Sequence, residues 1–194
     1  VPGFNNLTPR QKELIYYLGE AALWGRDIIT DQNYKHNLTI RKTLNAVVEG
    51  FQGDRTTPEW NEFMTYTKRV WFSNGIHHHY STDKFLPGFS RDYFESLVKN
   101  SEGATFPVKD SQTLDEFMAF LEPVMFDPNI DAKKVSQDSS GDLVADSAVN
   151  FYAGVTQAEV EEYYNRIIDK NDPTPISYGL NSRVVKKNGE VMEE

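Results

Sequence analysis

Apolar residues recur along this chain in blocks at helical spacing, each block introduced by residues that favour a helix start. Thr8-Pro9-Arg10-Gln11 supplies a capping Thr, a Pro at the first helical position and a Gln at the capping-box position. Leu14, Ile15, Leu18, Ala21, Ala22 and Ile28 follow on that first helix. Ile40, Leu44, Val47, Val48 and Phe51 make a second stripe, closed by Gly50, Gly53 and Asp54. Thr57-Pro58 opens a third helix, with Trp60, Phe63, Met64, Thr67 and Trp71 on one face. A shorter fourth begins near Ser90 and carries Tyr93, Phe94, Leu97 and Val98. Thr113-Leu114-Asp115-Glu116 is another capping box before Phe117, Met118 and Leu121, and Pro123 and Pro128 are expected to end that helix. Thr156 to Glu159 caps a last one, with Val160, Tyr163, Tyr164, Ile167 and Ile168.

Two segments depart from this period. The run 136–141 is small and polar, which predicts an exposed loop. After Asp172-Pro173-Thr174-Pro175 the pattern changes again. Val184 and Val185, then Asn188-Gly189, then Val191 and Met192 predict a β-hairpin with a type I′ turn. A lone hairpin is marginal in water, so its partner strands are expected beyond residue 194. The predicted fold is mostly α (α+β). It divides into a helical region, 1–172, and a segment, 173–194, that opens an incomplete sheet or barrel. On the same reasoning the chain is expected to continue past Glu194, and the start at Val1-Pro2-Gly3 implies residues upstream.

Composition narrows the function classes. Aromatic residues make up 13% of the chain, far more than disordered sequences carry, so a packed core is expected. The formal charge of −9 argues against nucleic acid and against an anionic membrane surface, both of which select Lys and Arg. No apolar run is long enough to span a bilayer. There is no Cys, which removes disulfides and thiolate metal ligands.

Candidate chemistry is sparse. The four histidines are His36 and the run His77, His78 and His79. None stands in an H-E-x-x-H pattern, and three consecutive rings point in different directions, so one ion does not easily take all three. Asp115-Glu116 and Glu161-Glu162 lie in the first turns of predicted helices, where the dipole favours negative charge. Neither a glycine-rich phosphate loop nor a G-x-S-x-G nucleophile turn occurs. Phe63, Tyr66 and Trp71 read as core more than as a stacking platform. The segment Val70 to Pro87 stands out, because Ser73, Asn74, three imidazoles, Tyr80, Ser81 and Thr82 crowd into ten residues after a helix. Such a density of neutral hydrogen-bonding groups on a helical scaffold suits a ligand-contact loop.

That segment resembles the dipeptidyl-peptidase III family in its bacterial branch. Ser73-Asn74 and the later Asp83-Lys84-Phe85 are similar to the family's S-N…D-x-K-F-x-P pattern, with a one-residue gap across His77 to Ser81. Tyr16-Tyr17-Leu18, Ala21-Ala22-Leu23, Gly25-Arg26-Asp27, Asp31 to Tyr34 and Ser177 to Arg183 look like the same branch. The resemblance implies a two-lobed zinc peptidase that removes dipeptides from the N-termini of short peptides, with cytoplasmic members and room for an exported form. This chain would be the N-terminal part of the lower, non-zinc lobe. Zinc would sit in the other part of the same protein, in an H-E-x-x-G-H helix absent here, so no catalytic residue and no metal ligand is expected in these residues. The chain alone is then expected to be inactive. The substrate-binding residues carried over are Ser73, Asn74, His79 and Tyr80. The alternative reading is a stand-alone helical module that binds a peptide or a metal through the His77–His79 loop.

Overall fold

The computed structural model describes residues 2–173 and 182–194, so Ser177 to Asn181 of the resembling segment lie outside the described residues. Among these residues are six α-helices and a small sheet. The predicted caps explain where the helices start. Helix α1 (Pro9–Asn33), α5 (Leu114–Phe126) and α6 (Gln157–Ile167) each begin in a reciprocal capping box, from Thr8, Thr113 and Thr156 respectively. The Thr57 hydroxyl caps α3 (Pro58–Ser73), and that of Ser90 caps α4 (Arg91–Lys99). Helix α2 (Asn37–Gly50) follows α1 after only three residues.

The core is built on α2, α3, α4 and α5. Ile40, Leu44 and Val47 from α2 meet Phe63, Tyr66 and Val70 from α3, with Phe94 and Leu97 from α4 and Phe117, Leu121 and Met125 from α5. Phe63 and Tyr66 are therefore core, while Trp71 reaches the surface and donates from Nε1 to Asn45 Oδ1 at 2.8 Å. Pro123 does not end α5, contrary to expectation: the helix runs on to Phe126. The carbonyl that Pro123 leaves without a donor belongs to exposed Ala119, where water can satisfy it, and buried Leu121, Val124 and Met125 hold the last turns in place.

Helix α1 is a helix where the spacing predicts one, but its apolar stripe does not enter the core. Leu14, Ile15, Leu18 and Ile28 are all about half exposed, and Trp24 is 75% exposed. Only Thr30 is fully enclosed. The helix is fastened near its C-terminus, where the Arg41 guanidinium pairs with Asp27 and donates to Thr30 Oγ1 at 3.0 Å. Arg41 holds the Asp27 carboxyl below the usual carboxylate range.

The hairpin forms as predicted. Strands β2 (Val184–Lys187) and β3 (Glu190–Glu193) pair antiparallel across Asn188 (φ 52°) and Gly189 (φ 86°), both left-handed as a type I′ turn requires. A third strand joins it from within the chain: β1 (Tyr152–Ala153) pairs parallel with β2 from thirty residues upstream. A second apolar cluster of Val155, Val160 and Val184, flanked by Tyr152, Tyr163, Tyr164 and Val191, joins α6 to this sheet across the 172/173 boundary. The Asp142 carboxylate orders the entry to α6 by accepting the N–H groups of Val144, Ala145 and Gln157. Residues 137–141 of the predicted loop are exposed.

Asn37 is the polar centre of the first three helices. It is fully buried. Its Nδ2 donates to the Thr30 carbonyl at 3.2 Å and to the Asn74 carbonyl at 3.4 Å, and its Oδ1 accepts the Ile76 N–H at 3.0 Å. Replacing it with Ala leaves that buried N–H without an acceptor. Asn37→Ala is expected to cost roughly 2–4 kcal/mol in urea denaturation, whereas Leu18→Glu on the exposed stripe should change stability by less than about 0.5 kcal/mol.

Candidate functional site

The candidate loop begins where α3 ends. Asn74 adopts a left-handed backbone (φ 51°), and Gly75 follows at φ 149°. A Cβ on Gly75 would overlap the Asn37 carboxamide, so a side chain is excluded there. Asn33 adds a second clamp, with Nδ2 donating to the Asn74 carbonyl at 3.1 Å. The backbone at 73–76 is thus held by two carboxamides from α1 and α2.

Beyond Ile76 the chain makes a tight reversal. His78 N–H donates to the Asp83 carbonyl at 2.7 Å, Thr82 N–H to the His78 carbonyl at 3.1 Å and Phe85 N–H to the Ile76 carbonyl at 2.7 Å. The returning arm then pairs with residues 132–134, through Lys84 N–H to the Ala132 carbonyl and Lys134 N–H to the Thr82 carbonyl. Lys84 also reaches inward, donating Nζ–H bonds to the carbonyls of Asp127 (2.6 Å) and Ile130 (2.8 Å), and burial lowers its pKa.

The three histidines have three different jobs. His77 turns inward and is 2% exposed. Its Nε2 donates to the Asp131 carbonyl at 2.7 Å, and its Nδ1 has no partner. Burial pulls its pKa down to about 4, against the opposing pull of that carbonyl, so the ring is neutral. The phenol of fully buried Tyr34 donates to the Asp131 carboxylate at 2.6 Å, and burial pushes its pKa far up. His78 accepts the N–H groups of Tyr80 (3.2 Å) and Ser81 (3.1 Å) at Nδ1, which places its hydrogen on Nε2. His79 is exposed, stacked on His78 at 4.6 Å between ring centroids, with Tyr80 at 4.6 Å and Phe72 at 5.1 Å. His36, at the start of α2, packs edge-on against Tyr34 and Phe120.

A groove of about 540 Å³ runs between α3 and this loop. It is lined by Thr65, Lys68, Arg69, Phe72 and Ser73 from α3 and by His78, His79 and Phe85 from the loop. Of the four candidate residues, Ser73 and His79 lie in its wall. Tyr80, 84% exposed, and Asn74, at the helix end, lie outside the lining. The Asn74 side chain makes no hydrogen bond among the described residues; its backbone carbonyl carries the contacts to α1 and α2. Sequence reasoning missed Thr65, Lys68, Arg69 and Phe72. Their spacing of three and four residues was the available signal, since it places them together on the polar face of α3.

Among the described residues, no group of three or more His, Asp or Glu side chains gathers as a metal-ligand set. Asp115 and Glu116 lie in the first turn of α5, where Glu116 closes the capping box. The Glu161 carboxylate accepts from Gln157 on α6. No helix is long and apolar enough to cross a membrane among the described residues. Comparison with models of known protein families and with curated proteins finds no match for this chain.

His77 gives the site a pH signature. The folded ring resists protonation down to about 4, while the unfolded ring takes a proton near 6.5. Its contribution is fully present above that unfolded value and is lost progressively as pH falls from there towards 4. The loss amounts to about 3 kcal/mol over the full interval. Half-buried His36, also lowered by burial, works in the same direction. Urea denaturation of the unaltered chain between pH 7 and 4.5 should show this decline, and His77→Leu should flatten it while leaving the carboxylate-driven loss below pH 4.5.

Proposed function

We propose that this chain forms the substrate side of a zinc-dependent dipeptidyl peptidase of the dipeptidyl-peptidase III type, contributing cleft residues and not the metal site. The observation that carries this reading is the loop after α3. Its backbone is locked from behind by Asn33 and Asn37, the Asn74 carboxamide is uncommitted, and the Phe72, His79 and Tyr80 rings are turned to solvent. That is what a peptide cleft needs: fixed polar groups beside apolar surface, with little ordering left to do on binding. The segment Trp71 to Pro87, which carries the resemblance, is the same segment. Its Lys84 and Phe85 anchor the loop, with Lys84 on the 127–130 carbonyls and Phe85 packed against the core.

In this reading a short peptide lies along the loop with its N-terminal residues near Asn74, Ser73, His79 and Tyr80. Zinc and the general base belong to the remainder of the same protein, which also serves as this chain's partner. The stand-alone peptide-binding alternative would use the same groove. Its metal-binding form loses support, because His77 is enclosed and committed to Asp131 while His78 and His79 stack face to face.

The experiment is hydrolysis of dipeptidyl arylamides. The 194-residue chain should show none, and the product of the complete reading frame should show activity that a chelator abolishes and zinc restores. Asn74→Ala in that product should lower kcat/KM about tenfold or more. A complete reading frame that encodes no zinc motif, or a product inactive with zinc present, overturns the proposal.

A further inference from the structure

We infer that the groove beside α3 binds a carboxylate of a short peptide through Lys68 and Arg69, with a neighbouring aromatic or aliphatic side chain of that peptide against Phe72. This deepens the peptide-cleft reading and rests on it only for the ligand being a peptide.

The charge distribution is the first argument. The chain carries a formal charge of −9, yet no Asp or Glu lines this groove. Six ion pairs occur among the described residues, and neither Lys68 nor Arg69 takes part in any of them. Both are exposed, and both sit one helical turn before Phe72 on the same face of α3. The nearby Asp83 carboxylate is engaged by Lys133. Two uncommitted cations beside a cavity in an acidic protein form a local anion site.

The rest of the lining says which anion. Phe72 is 74% exposed and Phe85 lies across the groove from it, so the lining is apolar and aromatic. His78, with Nδ1 committed to two backbone amides, offers an Nε2–H donor. Cations and one donor against aromatic surface suit a carboxylate attached to an apolar group, which can fork onto Arg69 while its side chain covers the ring. A volume of about 540 Å³ holds the end of a peptide and exceeds a bare inorganic anion. Two sources share this chemistry, a C-terminal carboxylate and an acidic side chain.

The test is a two-dimensional NMR titration of the 194-residue chain with the pentapeptide Ala-Ala-Ala-Glu-Phe. Three further peptides accompany it: the C-terminal amide, the form with Gln in place of Glu, and the form with both changes. Saturable shifts are expected at the amides of Lys68, Arg69, Phe72 and His79. Neutralising the bound carboxylate should raise Kd at least tenfold, and whichever single change does so identifies its source. The double variant Lys68→Ala/Arg69→Ala, altered only at exposed positions and checked by circular dichroism, should raise Kd for the charged peptide equally. No saturable shift, equal affinity for the doubly neutral peptide, or unchanged affinity of the double variant would each overturn the inference. An N-acetylated pentapeptide separates this from the broader reading. Unchanged affinity leaves the carboxylate site standing and removes support for recognition of the peptide N-terminus. Affinity that depends on the free amine but not on either carboxylate does the reverse.

Discussion

One buried carboxamide organises this molecule. Asn37 belongs to the first turn of α2, yet its hydrogen bonds go to the end of α1 and to the exit of α3. A primary amide offers donors and an acceptor in one plane, so it can join two carbonyls and one N–H that no backbone ladder could reach. Burial raises the stakes, since each of those groups would be costly to leave unpaired away from water. The constraint then propagates. Gly75 must lack a Cβ because the carboxamide fills that space, Ile76 is fixed by its own N–H, and the reversal that carries the histidines hangs from Ile76 through Phe85.

Local chemistry was legible in the sequence, and long-range consequence was not. The caps at Thr8, Thr57, Ser90, Thr113 and Thr156 announce themselves because a hydroxyl and an amide three residues apart settle the geometry without help. Asn188-Gly189 does the same for the hairpin. The two-residue strand at Tyr152 carries no such mark, and only its pairing with Val184 makes it a strand. Pro123 misleads for the same reason: its local cost is real, but burial of Leu121, Val124 and Met125 outweighs it. The spacing of Leu14 to Ile28 correctly implies a helix and cannot say which side of that helix meets the protein.

The candidate site divides in a similar way. Density of polar groups between Ser73 and Thr82 marks one loop as the candidate, yet the individual roles depend on the fold. Asn74 acts through its backbone towards the interior, His77 is a structural residue, and His78 is a cap within the turn. The exposed surface around the groove comes from Phe72, His79 and Tyr80, with Lys68 and Arg69 from the preceding turn of α3. Those two cations belong to no motif, and only their spacing of three and four residues from Thr65 and Phe72 places them on one face of α3. The groove places them beside rings, in a lining that contains no Asp or Glu.

The attachment of α1 has a consequence for how this helix breathes. Its last two turns are anchored by Arg41, by Thr30 and by the Asn33 clamp, while the turns before Gly25 touch little beyond their own backbone. An isolated helical segment of that length has scant cooperativity of its own. The helix should therefore open by zippering from Pro9 towards Asp27, at a free energy far below that of global unfolding, and stop where the guanidinium holds it. Within one continuous helix the amide protons would then fall into two kinetic classes, and the border between them would be drawn by a side chain of a different helix.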